Sequence, residues 1–221
     1  MTTIAIVGAG AGLGQATARH FGREGFSVAL ISRTQENVDW LAAELTEDGL
    51  TARGYAANVR DAQALHAALD AATTELGPIE VLQYSPVPAR DFMKPVLETT
   101  AEDLVGPVEQ SVYGPVTAVQ HVLPGMRELG RGTILLINGG SAVRPSGGVA
   151  GTSVAFAAES AYGQMLHESL APEGIHVAQL IIPHGIGGGE PDHEPDALAE
   201  RILTLHRNRG AFRTVVGNGA S

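Results

Sequence analysis

Four glycines, Gly8, Gly10, Gly12 and Gly14, follow directly on an apolar run in the segment IAIVGAGAGLG at 4–14. Between a strand and a helix, glycines at this spacing suit the holding of a phosphate anion. Gly8 permits a sharp turn off the strand, Gly12 lets the backbone approach a pyrophosphate, and Gly14 allows close packing of the next helix, whose N-terminal amides bind the anion. Leu13, Ala16, Thr17, His20 and Phe21 give that helix one mostly apolar face. The expected occupant is a dinucleotide cofactor contacted by Gly8, Gly10, Gly12, Leu13 and Gly14. About 20 residues beyond the turn, an acidic residue would hold the ribose hydroxyls of NAD, whereas an arginine suits the 2′-phosphate of NADP. Arg33 stands there, so NADP(H) is favoured over NAD(H).

Proton-carrying groups are the second kind of chemistry to look for. His184, in Pro183-His184-Gly185, ends a strand-like run; it stands either beside the cofactor or as a loop histidine in water. Tyr84 and Tyr113 are expected to point towards the cleft, although tyrosine is more often an amphipathic edge residue than an acid. Ser141 can hydrogen-bond a substrate oxygen, and the Asn138-Gly139-Gly140-Ser141 turn is equally well explained by loop geometry. Glu159 reads as an interface or surface carboxylate. His66, His121, His167, His193 and His206 show no ligand spacing on one helix face, so no metal site is expected. Asp192, His193 and Glu194, flanked by prolines in an acidic loop, read as solvated.

These groups need a scaffold, and the apolar periodicity supplies one. Strand-like runs recur at 3–7, 27–31, 52–57, 79–84, 133–137, 177–182 and 213–216. Helix-like stretches lie at about 13–24, 37–47, 62–75, 107–129, 152–170 and 195–206, with a break expected in the fourth at Gly106-Pro107 and Gly114-Pro115. The alternation predicts a single-domain α/β fold over residues 1–221: a Rossmann-type doubly wound parallel sheet of about seven strands with helices on both faces. In such sheets ligands bind beyond the C-terminal ends of the strands. The short Gly/Pro/acidic loop at 185–195 predicts an open cleft.

Composition narrows the function classes. A net charge of −10 disfavours a nucleic-acid phosphate backbone as partner, and no apolar run is long enough to span a bilayer. The absence of cysteine excludes disulfides and thiolate metal sites. Without a basic stretch and apolar signal region at the start, export is not indicated and a cytoplasmic location is expected.

Over essentially its whole length the chain resembles the short-chain dehydrogenase/reductase superfamily. VGAGAGLG at 7–14 matches the family's N-terminal turn, and Asn58-Val59 stands where an Asp-Val pair usually contacts adenine. GTILLI at 132–137 is similar to its fifth strand, and GIHVAQLIIPHG at 174–185 to its sixth strand and the turn lining the nicotinamide. The resemblance implies a catalytic Tyr-x-x-x-Lys pair, a serine after the fifth strand and an asparagine on the preceding helix. In SVAFAAESAYG, Phe156 stands at the tyrosine and Ser160 at the lysine; Gly139, with Ser141 close by, stands at the serine, and Ser111 in QSVYG at the asparagine. Tyr84-Ser85-Pro86-Val87 replaces the usual loop after the fourth strand.

The expectation is therefore an atypical NADP(H)-binding oxidoreductase that transfers hydride to a small organic substrate without the usual Tyr/Lys acid. Its reaction cleft would be lined by Ser111, Ser141, Phe156, Ser160 and His184. The alternative is a catalytically silent NADP(H)-binding sensor or partner subunit. Small residues on the helix at 152–170 (Ala155, Ala157, Ala158, Ser160, Ala161, Gly163) suit close packing, and in related proteins this helix forms a dimer face, so a homo-oligomer is expected.

Overall fold

The computed structural model describes residues 1–217. Its strands are β1 (Thr3–Val7), β2 (Ser27–Ser32), β3 (Ala52–Ala56), β4 (Ile79–Tyr84), β5 (Gly132–Gly139), β6 (Ile175–Ile182) and β7 (Arg213–Val215). All pair in parallel, in the order β3-β2-β1-β4-β5-β6-β7. The five inner strands are almost wholly buried, whereas the edge strands β3 and β7 are partly exposed. Continuous apolar runs such as IHVAQLII in β6 follow from this burial on both faces.

Helices α1 (Leu13–Arg23), α2 (Gln35–Glu47), α3 (Ala62–Leu76), α4 (Ala101–Val108), α5 (Gly114–Leu129), α6 (Ala150–Leu170) and α7 (Pro195–Asn208) cover the sheet. Side chains alternate along each strand, so every inner strand feeds two cores. Val7, Leu82, Tyr84 and Leu136 pack with Leu65, Leu69 and Val119 on one face. Ile4, Ile6, Leu135 and Leu180 pack with Phe21, Leu41 and Ile202 on the other. Each such aliphatic or aromatic side chain contributes roughly 1.5–3 kcal/mol relative to exposure.

The fourth helical stretch departs from the sequence expectation. It begins at Ala101, six residues early, because Thr100 and Asp103 form a reciprocal capping box. Its break is a π-helical turn over Glu109–Tyr113. Pro115 explains the widening: a proline lacks the N–H that would bond back one turn, and its ring crowds the carbonyl four residues earlier.

Strand order reverses between β1 and β4, which opens the crevice where the glycine turn lies. Val7 pairs with Tyr84 at the strand ends, and the Ser85 amide donates to the Val7 carbonyl at 2.9 Å. This register brings the β4 loop directly against Gly8.

Candidate functional site

The glycine turn is shaped by two different constraints. Gly8 has φ +91°, and a Cβ there would meet the Pro86 backbone nitrogen at 2.5 Å. Both its conformation and its neighbours demand glycine. Gly14 approaches the Ala9 backbone so closely that a Cβ would lie 3.0 Å from its Cα, which seats α1 against the turn. Gly10 and Gly12 differ: a Cβ on either meets nothing within 4 Å among the described residues, because both border a cavity of about 1560 Å³. The turn is held from β2 as well, with the Gly8 and Ala9 amides donating to the Ile31 carbonyl at 2.9 and 3.0 Å and the Asn37 side-chain amide to the Ala9 carbonyl at 3.4 Å.

From Gly8, Gly10, Gly12, Leu13 and Gly14 the cavity runs past Asn138, Ser141, Thr152 and Phe156 to His184, Glu190 and His193. Phe156 forms part of the wall without filling the space. A Cβ on Gly139 would lie 3.7 Å from its ring, so positions 139 and 156 face one another across β5 and α6. Ser141 sits on a short turn just after β5 and borders the cavity.

Tyr84 does not point into the cleft. Its side chain is buried against α5, and its hydroxyl donates to the Gln110 carbonyl in the π-helical turn. The phenol is pushed well above its usual range, first by burial and then by the Glu159 charge. Tyr113, also expected to face the cleft, is exposed at the end of the same turn and does not border the cavity.

Behind the Phe156 wall is a buried polar network. The Ser160 hydroxyl donates to Gln179 Oε1 at 2.9 Å, and Arg213 from β7 donates to Ser160 Oγ at 2.6 Å and to Gln179 Oε1 at 2.8 Å. Gln179 Nε2 in turn donates to Asn138 Oδ1 at 2.8 Å. Ser160 is thus engaged inward and does not border the cavity. Glu159 is 1% exposed, which corrects its assignment as an interface or surface carboxylate. Burial raises its pKa to about 8, only partly offset by the Asn138 side chain.

The remaining sequence candidates fall outside the cavity wall. Arg33 is exposed just after β2, whose Ile31 pairs with Val7 ahead of the glycine turn, but it does not border the cavity. Asn58 is exposed, with Oδ1 accepting from the Arg60 amide at 3.1 Å, and Val59 packs partly against the core. Ser111 is buried in the π-helical turn.

One constellation escaped the sequence. The loop after β6 folds back so that His184 Nδ1 lies 2.8 Å and His193 Nδ1 3.2 Å from Glu190 Oε2. The two imidazoles stack at 4.9 Å between centroids. His193 is 2% exposed, which corrects its assignment to a solvated acidic loop; Asp192 there is exposed and bound by Arg201 at 2.8 Å. The expectation of no ligand grouping rested on helix spacing. Separations of six and three residues in an irregular loop gave no periodic signal by which to find the cluster.

Comparison with known proteins places this architecture. The short chain dehydrogenase profile matches residues 2–187. Human dehydrogenase/reductase SDR family member 4 is 29% identical over 166 residues, which cover 75% of this chain and 59% of that protein. The short-chain reductase protein NovJ of Streptomyces niveus is 30% identical over 197 residues, covering 89% of this chain and 72% of that protein. Among solved structures, a short-chain dehydrogenase from Rhodopseudomonas palustris superposes with a TM-score of 0.86 at 26% identity, covering 99% of both chains. L-sorbose reductase from Gluconobacter frateurii, solved with NADPH and L-sorbose, shares the fold at a TM-score of 0.85 and 21% identity. A seven-stranded parallel sheet with a glycine turn at its switch point, matched over residues 2–187, makes the chain a member of the short-chain dehydrogenase family.

Proposed function

We propose that the chain binds NADP(H) along the cleft and reduces a small organic substrate by hydride transfer, without a Tyr/Lys acid. The observation that carries this reading is the continuous cavity from the glycine turn to Ser141 and His184, which neither Tyr84 nor Phe156 fills. The residues present fit a dinucleotide. Gly10 and Gly12 leave the space that a pyrophosphate needs, and Leu13 and Gly14 at the start of α1 border it. Arg33 would pair with the 2′-phosphate, and Asn58 with Val59 would flank the adenine. The bound cofactor supplies the hydride.

Phe156 carries no proton and Ser160 is tied to Gln179 and Arg213, so neither acts as an acid here. Loss of a general acid costs about 10²–10⁴ in rate. The substrate class that tolerates this loss is an iminium or an activated enone. Ser141 orients its polar group from the cavity wall. The second reading, a silent NADP(H)-binding sensor or partner subunit, draws on the same inward ties of Ser160. It differs in requiring cofactor binding but no turnover.

We also propose a homo-oligomer, on the basis of an exposed apolar stripe along α6. Val154, Ala157, Ala158, Ala161 and Met165 face outward together, beside the exposed Val105 of α4. Ala155, Ser160 and Gly163, by contrast, are used inside the domain.

Fluorescence titration with NADPH and NADH tests the cofactor reading. The expected result is micromolar NADPH binding with weaker NADH binding. Arg33→Ala should weaken NADPH by roughly tenfold, the equivalent of about 1.4 kcal/mol, and leave NADH unchanged. Equal affinities for the two cofactors in the wild type would remove the NADP(H) preference. Binding without turnover of any iminium or enone would favour the silent reading.

A further inference from the structure

The loop that closes the far end of the cleft holds two histidines and a carboxylate in an arrangement that its hydrogen bonds leave incomplete. The donor atoms of His184, Glu190 and His193 all lie within 4.8 Å of one another. Donors bound to zinc at 2.0–2.2 Å in a tetrahedron stand roughly 3.3 Å apart. Two of the separations here, 2.8 Å from His184 Nδ1 and 3.2 Å from His193 Nδ1 to Glu190 Oε2, are near that spacing, and turning the exposed His184 and Glu190 side chains would bring all three donors onto one ion.

The cluster is also held in place. Positive φ at Gly187 (+75°) and Gly189 (+87°) lets the chain reverse, and the Gly187 amide donates to the His193 carbonyl at 3.1 Å. The His193 amide donates to the Glu190 carbonyl at 2.8 Å, which fixes two of the three groups relative to one another. Neighbouring carboxylates are already engaged: Glu194 Oε1 accepts from the Gly189 amide at 2.9 Å, and Asp192 binds Arg201.

His193 supplies the independent observation. Its side chain is buried; among the described residues Nε2 has no hydrogen-bond partner, and Nδ1 meets Glu190 Oε2 at 3.2 Å without hydrogen-bond geometry. A desolvated imidazole nitrogen left without a hydrogen bond costs folding free energy, and a bound cation would remove that cost. All three residues border the cavity, so an ion held there faces the cleft.

We propose that His184, Glu190 and His193 form a binding site for a divalent cation of the zinc class, with a coordination position open to the cleft. Two imidazoles and one carboxylate with an open fourth position are the ligand set of zinc sites that also take water or a substrate oxygen. The site does not depend on the redox reading, and its test uses no dinucleotide and no substrate.

The chain, stripped with EDTA, should bind zinc chloride with one ion per chain in calorimetry, at a Kd of about 1 μM or tighter. A hundredfold excess over Kd should raise Tm by about 5 °C or more. His184 and Glu190 are exposed, so His184→Ala and Glu190→Gln preserve the core, and each should weaken binding by roughly tenfold or more. His121→Ala serves as the control. It removes one ring of the other stacked histidine pair, His66 and His121, and should leave binding unchanged. Absence of binding to the wild type at millimolar zinc overturns the proposal. So does undiminished binding to both loop variants, or loss of binding in His121→Ala.

Discussion

Glu159 is the residue whose environment departs furthest from what its type suggests. A carboxylate on a helix of mostly small residues is ordinarily solvated, yet this one is enclosed by the protein, and Oε1 has no hydrogen-bond partner among the described residues. Burial raises its pKa from 4.5 to about 8. An acid that holds its proton more tightly when folded makes stability fall as pH rises from its unfolded value through its folded one. His176 acts in the opposite sense: burial lowers it from 6.5 to about 4, so its contribution is complete above 6.5 and is lost as pH falls towards 4. Between pH 6.5 and 8 the Glu159 effect therefore stands clear. It should cost about 2 kcal/mol across that interval, read as a fall of a few degrees in Tm. Glu159→Gln should flatten this slope in thermal melts at pH 6.5 and 8. An unchanged slope would mean that water or a counter-charge reaches the carboxylate.

At the level of elements, the β1–turn–α1 unit separates glycines required by the fold from glycines bordering the cleft. Gly8→Ala forces an L-residue to φ +91° and drives a Cβ into the Pro86 backbone, so a loss of about 2–4 kcal/mol or outright misfolding is expected. Gly10→Ala meets no atom of the described residues, so its unfolding free energy should stay within about 1 kcal/mol of wild type while NADPH affinity falls by roughly tenfold or more. Melting both variants and titrating the soluble one checks the division. Equal destabilisation by the two would sink it. This unit, like the sheet, was legible in the sequence because an apolar run, a glycine series and an amphipathic helix are local signals. The inward ties of Ser160 were not legible, since Arg213 reaches it from a strand 53 residues away. The π-helical turn was equally hidden: Gly-Pro pairs announce a break but not its type, and the Tyr84 hydroxyl that caps the Gln110 carbonyl comes from β4.

For the whole molecule, the question is what covers α6. Val154 and Met165 are 50% and 60% exposed, with Ala157, Ala158 and Ala161 between them on the same face. Alanines lower the surface enough for a second helix to approach closely, and the flanking larger side chains would interlock at either end. Apolar surface of this shape on a chain of net charge −10 is better satisfied by a second apolar face than by an oppositely charged partner. These side chains are exposed, so the stripe costs the isolated chain no internal contact. Light scattering after size exclusion should give at least twice the 22.9 kDa chain mass. Ala158→Arg places a cation at the centre of the stripe without touching the core, because that side chain already faces solvent in the isolated chain. It should return the mass to that of one chain and lower Tm, since dissociation removes the coupling between assembly and folding. The cofactor cavity is on the other side of α6, so NADPH affinity in this variant should remain within about twofold of wild type. A wild type that already runs at the mass of one chain at tens of micromolar would instead leave the stripe as ordinary surface, and Ala158→Arg would then change neither mass nor Tm.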